Sequence, residues 1–274
     1  MRGWFRPALA LALVGWLAGC ASSPPPPPTA PASTLGPQRA RLVQAALAEW
    51  NRWGQLTVDG WPIALPQQAA PEHYSSVLAY WETVPEGPAV IRRHQQTHDA
   101  LLAGLTEMLP EGSPPPALPS ISLWAYPAWS AAFVSYVMQQ AGVPGYVFPP
   151  SAAHAFYIDA LIAASAGNPE GAAFRPHDPA EYAPVPGDLI CADRSRSPLY
   201  HWQERAMEPG QFRPMHCDVV VATGGQLVQA IGGNVLDAVV LRRFPADRAG
   251  RALPPPVDKA PFFVVFENRM DLTR

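Results

Sequence analysis

A serine hydroxyl attacks a carbonyl only if a neighbouring base takes its proton, and an imidazole serves best when a polar group orients it. Four residues of this chain could supply that chemistry: Ser130, His216, Asp218 and Asn234. Ser130 lies three residues before Phe133 and four before Val134, so on a helix it shares their apolar stripe at the positive end of the dipole. His216 opens an apolar run, and strand alternation puts Asp218 on its face and Cys217 on the other. Asn234 follows Gly232-Gly233, two residues that let the backbone turn tightly. Together they make a nucleophile, a base and a polar orienter, with backbone N–H groups at the helix start to stabilise an oxyanion. Ser130 also reads as a small first-turn residue that lets its helix pack closely.

The elements that must position these residues can be read from periodicity. Pro127 suits a first helical turn, and Phe133, Val134, Val137, Met138 and Ala141 form a buried stripe that Gly142 ends. A second helix over 151–166 turns Ile158, Leu161 and Ile162 inward. Short apolar or alternating runs follow at 188–191, 217–222, 226–231, 238–241 and 262–266, which predict an antiparallel sheet. Thr223-Gly224-Gly225 reads as a hairpin turn, and Gly232-Gly233 as another sharp change of direction. Upstream, Leu42, Val43, Ala46, Leu47 and Trp50 predict a helix over 38–53 that Gly54 stops. Val90, Ile91, Leu101, Leu102, Leu105 and Met108 predict another over 88–109, with an aromatic Tyr80-Trp81 stretch between the two and a proline-rich linker over 110–119. Helices followed by strands predict an α+β fold, with a helical region over 38–115 ahead of the main domain over 116–274.

Four strings in order carry a resemblance: Ala128-Trp129-Ser130-Ala131-Ala132-Phe133-Val134, Pro186-Gly187-Asp188-Leu189-Ile190, His216-Cys217-Asp218-Val219-Val220 and Gly232-Gly233-Asn234-Val235. They look like the papain-like NlpC and CHAP peptidoglycan hydrolases. More closely, the chain is similar to domain-of-unknown-function family 2272, whose members include bacterial lipoproteins. The resemblance covers residues 123–237 and implies a papain-like fold and a hydrolase of the amidase or endopeptidase kind. Its substrate would be peptidoglycan or its stem peptide, and no metal or organic cofactor is implied. Where those hydrolases place a cysteine, this chain has Ser130. A thiolate attacks unaided whereas a hydroxyl must lose its proton as it attacks, so the exchange is not conservative. It leaves a serine hydrolase with His216 as base and Asn234 or Asp218 orienting it, or a non-catalytic cell-wall-binding or envelope assembly lipoprotein using the same groove.

Other polar residues carry weaker signals. His154 lies four residues before Ile158 and so faces the core or the cleft; as a site residue it would bind substrate, along with Trp129 and Trp202. His94 and His98 stand one helical turn apart, but Gln95 replaces the glutamate a metalloprotease needs, so a solvated helix face is expected. Gly232-Gly233-Asn234 lacks the Lys-Ser/Thr pair of a phosphate loop, and Ser130 lacks the flanking glycines of a nucleophile elbow. The stretch 192–215 holds Tyr200, His201, Trp202 and several arginines, and reads either as a lid over the groove or as a flexible excursion.

The N-terminus sets the compartment in which this chemistry would run. Arg2 and Arg6 precede an apolar run over 8–18, too short to cross a bilayer of about 30 Å, so residues 1–19 read as a signal peptide. The run ends in Leu17-Ala18-Gly19-Cys20, which resembles the bacterial lipobox and implies lipid on Cys20. Residues 20–37, with prolines 24 to 28, form a stiff tether. No aspartate follows Cys20, which by resemblance favours a periplasmic domain held at the outer membrane. Losing residues 1–19 removes two arginines and no acid, leaving 17 basic against 22 acidic residues, a mature charge of −5 that excludes a nucleic-acid partner. With 48% hydrophobic residues and nine tryptophans the chain can bury a large core, while 35 prolines demand many irregular connections. Cys191 and Cys217 could pair in an oxidising compartment; each also lies in a strand-like apolar run, and buried thiols are the preferred expectation.

Overall fold

A computed structural model of the protein describes residues 35–63, 73–114 and 127–272. The expected signal peptide, Cys20, the tether up to residue 34 and the linker beyond residue 114 lie outside the described residues. The fold is α+β, six helices and a seven-stranded mixed sheet among the described residues.

The helices are α1 (Pro37–Arg52), α2 (Tyr74–Glu82), α3 (Gly87–Glu107), α4 (Ser130–Gln140), α5 (His154–Gly167) and a short α6 (Trp202–Ala206). The strands are β1 (Thr57–Asp59), β2 (Phe174–His177), β3 (Leu189–Asp193), β4 (Met215–Gly224), β5 (Leu227–Val235), β6 (Ala238–Pro245) and β7 (Phe262–Asn268). They lie in the order β1-β6-β5-β4-β3-β7-β2. Every pairing is antiparallel except β1 with β6, which runs parallel with Thr57 opposite Leu241.

The sheet separates two hydrophobic layers. Cys217, Val219 and Val221 of β4 join α1, α2, α4 and α5 in the larger one, around Leu42, Trp50, Tyr80, Phe133 and Ile158. Val220 faces the other side with Ile190, Ala230, Phe244 and Phe262, where Trp61 and Tyr182 pack over it. The helical N-terminal region therefore shares the main core. Asp271, from the far end of the chain, fastens α1 to it by accepting the N–H groups of Gln38 (2.8 Å) and Arg39 (3.0 Å) at the unsatisfied helix start. Asp188 does the same from the sheet. Fully buried, it accepts from Arg39 (2.7 Å), the Val185 N–H (2.8 Å) and the Asn268 N–H (2.9 Å). The aspartate of the Pro186-Gly187-Asp188 string is thus structural.

Several expectations need correction. In α3 only Gly87 and His94 are buried, and Leu101, Leu105 and Met108 are exposed among the described residues. His94 is therefore not on a solvated face. The turn expected at Gly232-Gly233 falls later, at Leu236-Asp237, both at positive φ (50° and 64°) between Val235 and its partner Ala238. The first hairpin is as expected: Gly224 pairs with Leu227, and Gly225 and Gln226 turn at φ 57° and 61°, the signature of a type I′ loop. Cys191 and Cys217 face each other across β3 and β4 and form a disulfide, not buried thiols, because the register brings their Cα atoms to 4.1 Å. Finally, the 192–215 stretch is tied down by ion pairs. Fully buried Arg205 grips Asp159 with two bonds of 2.7 Å, and Arg213 reaches Asp193 at 2.9 Å.

Candidate functional site

Ser130 is the first residue of α4 and 5% exposed. The helix forms because Ala131, Ala132, Phe133, Val134, Val137 and Met138 bury one broad face. It ends in a Schellman motif, with Gly142 at φ 73°, its N–H on Gln139 O (2.9 Å) and that of Val143 on Met138 O (3.0 Å). No side chain caps its start, so the N–H groups of Ser130, Ala131 and Ala132 have no partner within the helix.

The imidazole that meets Ser130 is that of His154, with Oγ to Nε2 at 2.7 Å. His154 opens α5, and its Nδ1 makes a short contact with the hydroxyl of Tyr157, one turn on. Burial, and then the neighbouring His216, hold His154 well below the ordinary imidazole value, with Asp218 opposing them. Its ring is therefore neutral at pH 7. For Nε2 to accept the serine proton, Nδ1 must carry hydrogen and donate it to Tyr157 Oη. Burial keeps the Tyr157 hydroxyl protonated, its pKa raised well above 10.

His216 does not hold Ser130, contrary to the sequence expectation. Alternation turns His216 and Asp218 away from the face on which α4 packs, and the His216 ring centroid lies 5.5 Å from that of His154. His216 and Asp218 do share a face as expected, with Nε2 3.1 Å from Oδ1. The other Asp218 oxygen takes a close ion pair from Arg242. Burial opposes ionisation of Asp218, but Arg242 and His216 outweigh it and hold its pKa down at about 2.

Asn234 also departs from its expected role. Its amide accepts the Trp129 N–H (2.9 Å) and donates to Asp237 Oδ1 (3.1 Å), so it clamps the residue before Ser130 to the β5–β6 turn. Trp129 is fully buried against Trp53 and Tyr80, ring centroids 5.4 Å away in each case, which rules out the expected substrate contact in this conformation. Trp202 packs half-buried against the main core.

A pocket of about 210 Å³ opens beside this cluster, lined by His216, Asn234, Val235, Arg194, Arg242, Lys259 and Trp61 among others. Neither Trp202 nor Ser130 belongs to its lining. Asn234 and Leu236 on its wall hold positive φ (54° and 50°), conformations that non-glycine residues keep only where the surroundings impose them. Sequence reasoning missed Tyr157, although its spacing of three from His154 was a usable signal. Arg194, Arg242 and Lys259 gave none, because strand register and loop path decide where they point. Tyr200 and His201 line a separate groove of about 570 Å³ with Pro254, Pro255 and Pro256. Among the described residues no cluster of three or more His, Cys, Asp or Glu side chains could hold a metal ion, and no helix is long and apolar enough to cross a membrane.

No curated protein and no solved structure matches the chain. Residues 111–269, more than half of its length, match the family described as "Uncharacterized protein conserved in bacteria (DUF2272)", and the chain belongs to that family.

Proposed function

We propose that this protein is a lipid-anchored, periplasmic hydrolase of papain-like architecture that acts on amide or peptide bonds of peptidoglycan, with Ser130 as nucleophile and His154 as base. The observation that carries it is the 2.7 Å contact between Ser130 Oγ and His154 Nε2 at an uncapped helix start. Ser130 Oγ attacks the carbonyl carbon while its proton passes to His154 Nε2. The N–H groups of the first turn receive the oxyanion, and the leaving nitrogen takes the proton from His154 as the C–N bond breaks. Water, deprotonated by His154, then releases the acyl group from Ser130. The lipobox-like Leu17-Ala18-Gly19-Cys20 and a disulfide suited to an oxidising compartment support the location.

A second reading is a peptidoglycan-binding protein without catalysis. It is favoured by the pocket, which is lined by His216 and Arg242 while Ser130, 5% exposed, is not part of its lining. Incubating the protein with peptidoglycan and comparing Ser130→Ala and Ser130→Cys separates the two. Fragments released by the wild type and not by Ser130→Ala support hydrolysis. Binding by all three without release supports the second reading and overturns the first.

A further inference from the structure

The pocket beside the Ser130–His154 pair carries a recognition chemistry of its own. Its deepest polar group is His216, 5% exposed and bound through Nε2 to Asp218, while its Nδ1 is buried and makes no hydrogen bond among the described residues. Asp218 is an ionised carboxylate gripped by Arg242, so it only accepts, and Nε2 must hold the ring proton. A neutral His216, which lines the pocket, then has an unused Nδ1 lone pair as an acceptor. A buried acceptor without a donor is costly, and a ligand N–H removes that cost.

The charges select the rest of the ligand. Arg242 is neutralised by Asp218, and Lys259 pairs with Asp258 at 2.8 Å on the same wall. Arg194 is exposed, and its guanidinium has no ion pair or hydrogen bond among the described residues. It is the cation left over, and its planar fork suits a carboxylate. Trp61, Pro62, Val235 and Leu236 supply apolar walls, and about 210 Å³ admits only one or two small residues. The Asp258 carboxylate on the wall disfavours the second negative charge that phosphate carries at neutral pH.

We propose that this pocket binds the C-terminal end of an acylated peptide, with its carboxylate on Arg194 and its last amide N–H donating to His216 Nδ1. The proposal stands on the pocket and does not depend on reaction at Ser130. The test is calorimetric titration of the full chain carrying Ser130→Ala, which removes turnover. The probes are N-acetyl-dialanine in both epimers of the terminal residue, its C-terminal amide, the analogue methylated on the last amide nitrogen, and inorganic phosphate. At least one epimer of the acid should bind, with the amide and the N-methyl analogue each at least tenfold weaker. Adding the exposed substitution Arg194→Gln should weaken the acid at least tenfold, leave the amide unchanged and leave the melting temperature unchanged. Failure of both acid epimers to bind, equal binding of acid and amide, indifference to Arg194→Gln, or tighter binding of phosphate than of the acid would each overturn it.

Discussion

Gly232 stands so close to Asp218 that a Cβ on it would fall 1.8 Å from Oδ1 and 2.8 Å from His216 Nε2. Its neighbour Gly233 would drive a Cβ to 2.4 Å from the Phe133 ring on the opposite face of β5. The two glycines therefore make room rather than a turn: one for the His216–Asp218–Arg242 chain, the other for the helix that begins with Ser130. Gly232→Ala should cost about 1–3 kcal/mol, since its closest neighbour is a carboxylate fixed between two partners that cannot yield cheaply. Gly104→Ala is the control. It sits inside α3 with nothing within 4 Å of the added methyl, and should gain roughly 0.5–1 kcal/mol. Urea denaturation of the two variants reads both signs.

If His154 is the base, its removal should hurt far more than removal of His216. On the proposed mechanism Ser130→Ala and His154→Gln each reduce peptidoglycan hydrolysis by about 10³-fold or more, while His216→Gln reduces it less, since the imidazole bonded to Ser130 is that of His154. Tyr157→Phe should lower kcat by roughly tenfold with KM little changed, because the Nδ1–H of His154 loses its acceptor. Initial rates of fragment release measure all four. Equal losses in His154→Gln and His216→Gln would refute the assignment.

The same environment fixes a pH dependence. On the proposed mechanism His154 acts as a base only while neutral, and burial together with His216 lowers its pKa from 6.5. As pH falls, activity should hold through 6.5 and decline only when the lowered value is reached. A kcat/KM profile should place the acid limb below 6.5. A limb at or above that value would mean an exposed imidazole and a different base.

The shape of this site was half legible in the residues. Ser130 at a helix start, His154 facing inward and His216 with Asp218 on one strand face all follow from periods of 3.6 and 2, and all are found. Which histidine meets Ser130 does not follow, because it depends on how α5 lies against β4. Gly232-Gly233 is not the expected turn for a related reason: glycine permits positive φ and it also permits close approach, and sequence does not say which is in use. The strand Thr57–Asp59 went unseen because three residues carry no period, and it pairs in parallel only by joining the sheet edge from far along the chain. The Cys191–Cys217 bond depends on the β3–β4 register, which neither run of hydrophobic residues specifies alone.

Asp218 makes acid a probe of the buried chain. Its folded pKa of about 2 lies below the usual carboxylate value of 3.8, so its stabilisation is present above pH 4 and is lost as pH falls toward 2. That shift corresponds to about 2 kcal/mol. Asp218→Asn should abolish this part of the acid dependence and destabilise at neutral pH by roughly 3–5 kcal/mol, because Arg242 is left buried without its counter-charge. Denaturation midpoints at pH 7, 4 and 2.5 for both proteins test it. A variant as stable as the wild type at pH 7 would show that water or another partner satisfies Arg242.

The disulfide links stability to compartment. It joins residues 26 apart, a loop whose closure restricts the unfolded chain by about 3 kcal/mol. Because both sulfurs are buried in the core that also holds α4 and α5, its loss should loosen the sheet beneath the site. The double variant Cys191→Ala, Cys217→Ala should therefore melt roughly 6–12 °C lower than the oxidised protein, and so should the wild type after reduction. In protein isolated from its native envelope without reductant, alkylation followed by peptide mass analysis should label Cys191 and Cys217 only after reduction. Both cysteines labelled beforehand would place the chain in a reducing compartment, and the periplasmic proposal would fall with the disulfide.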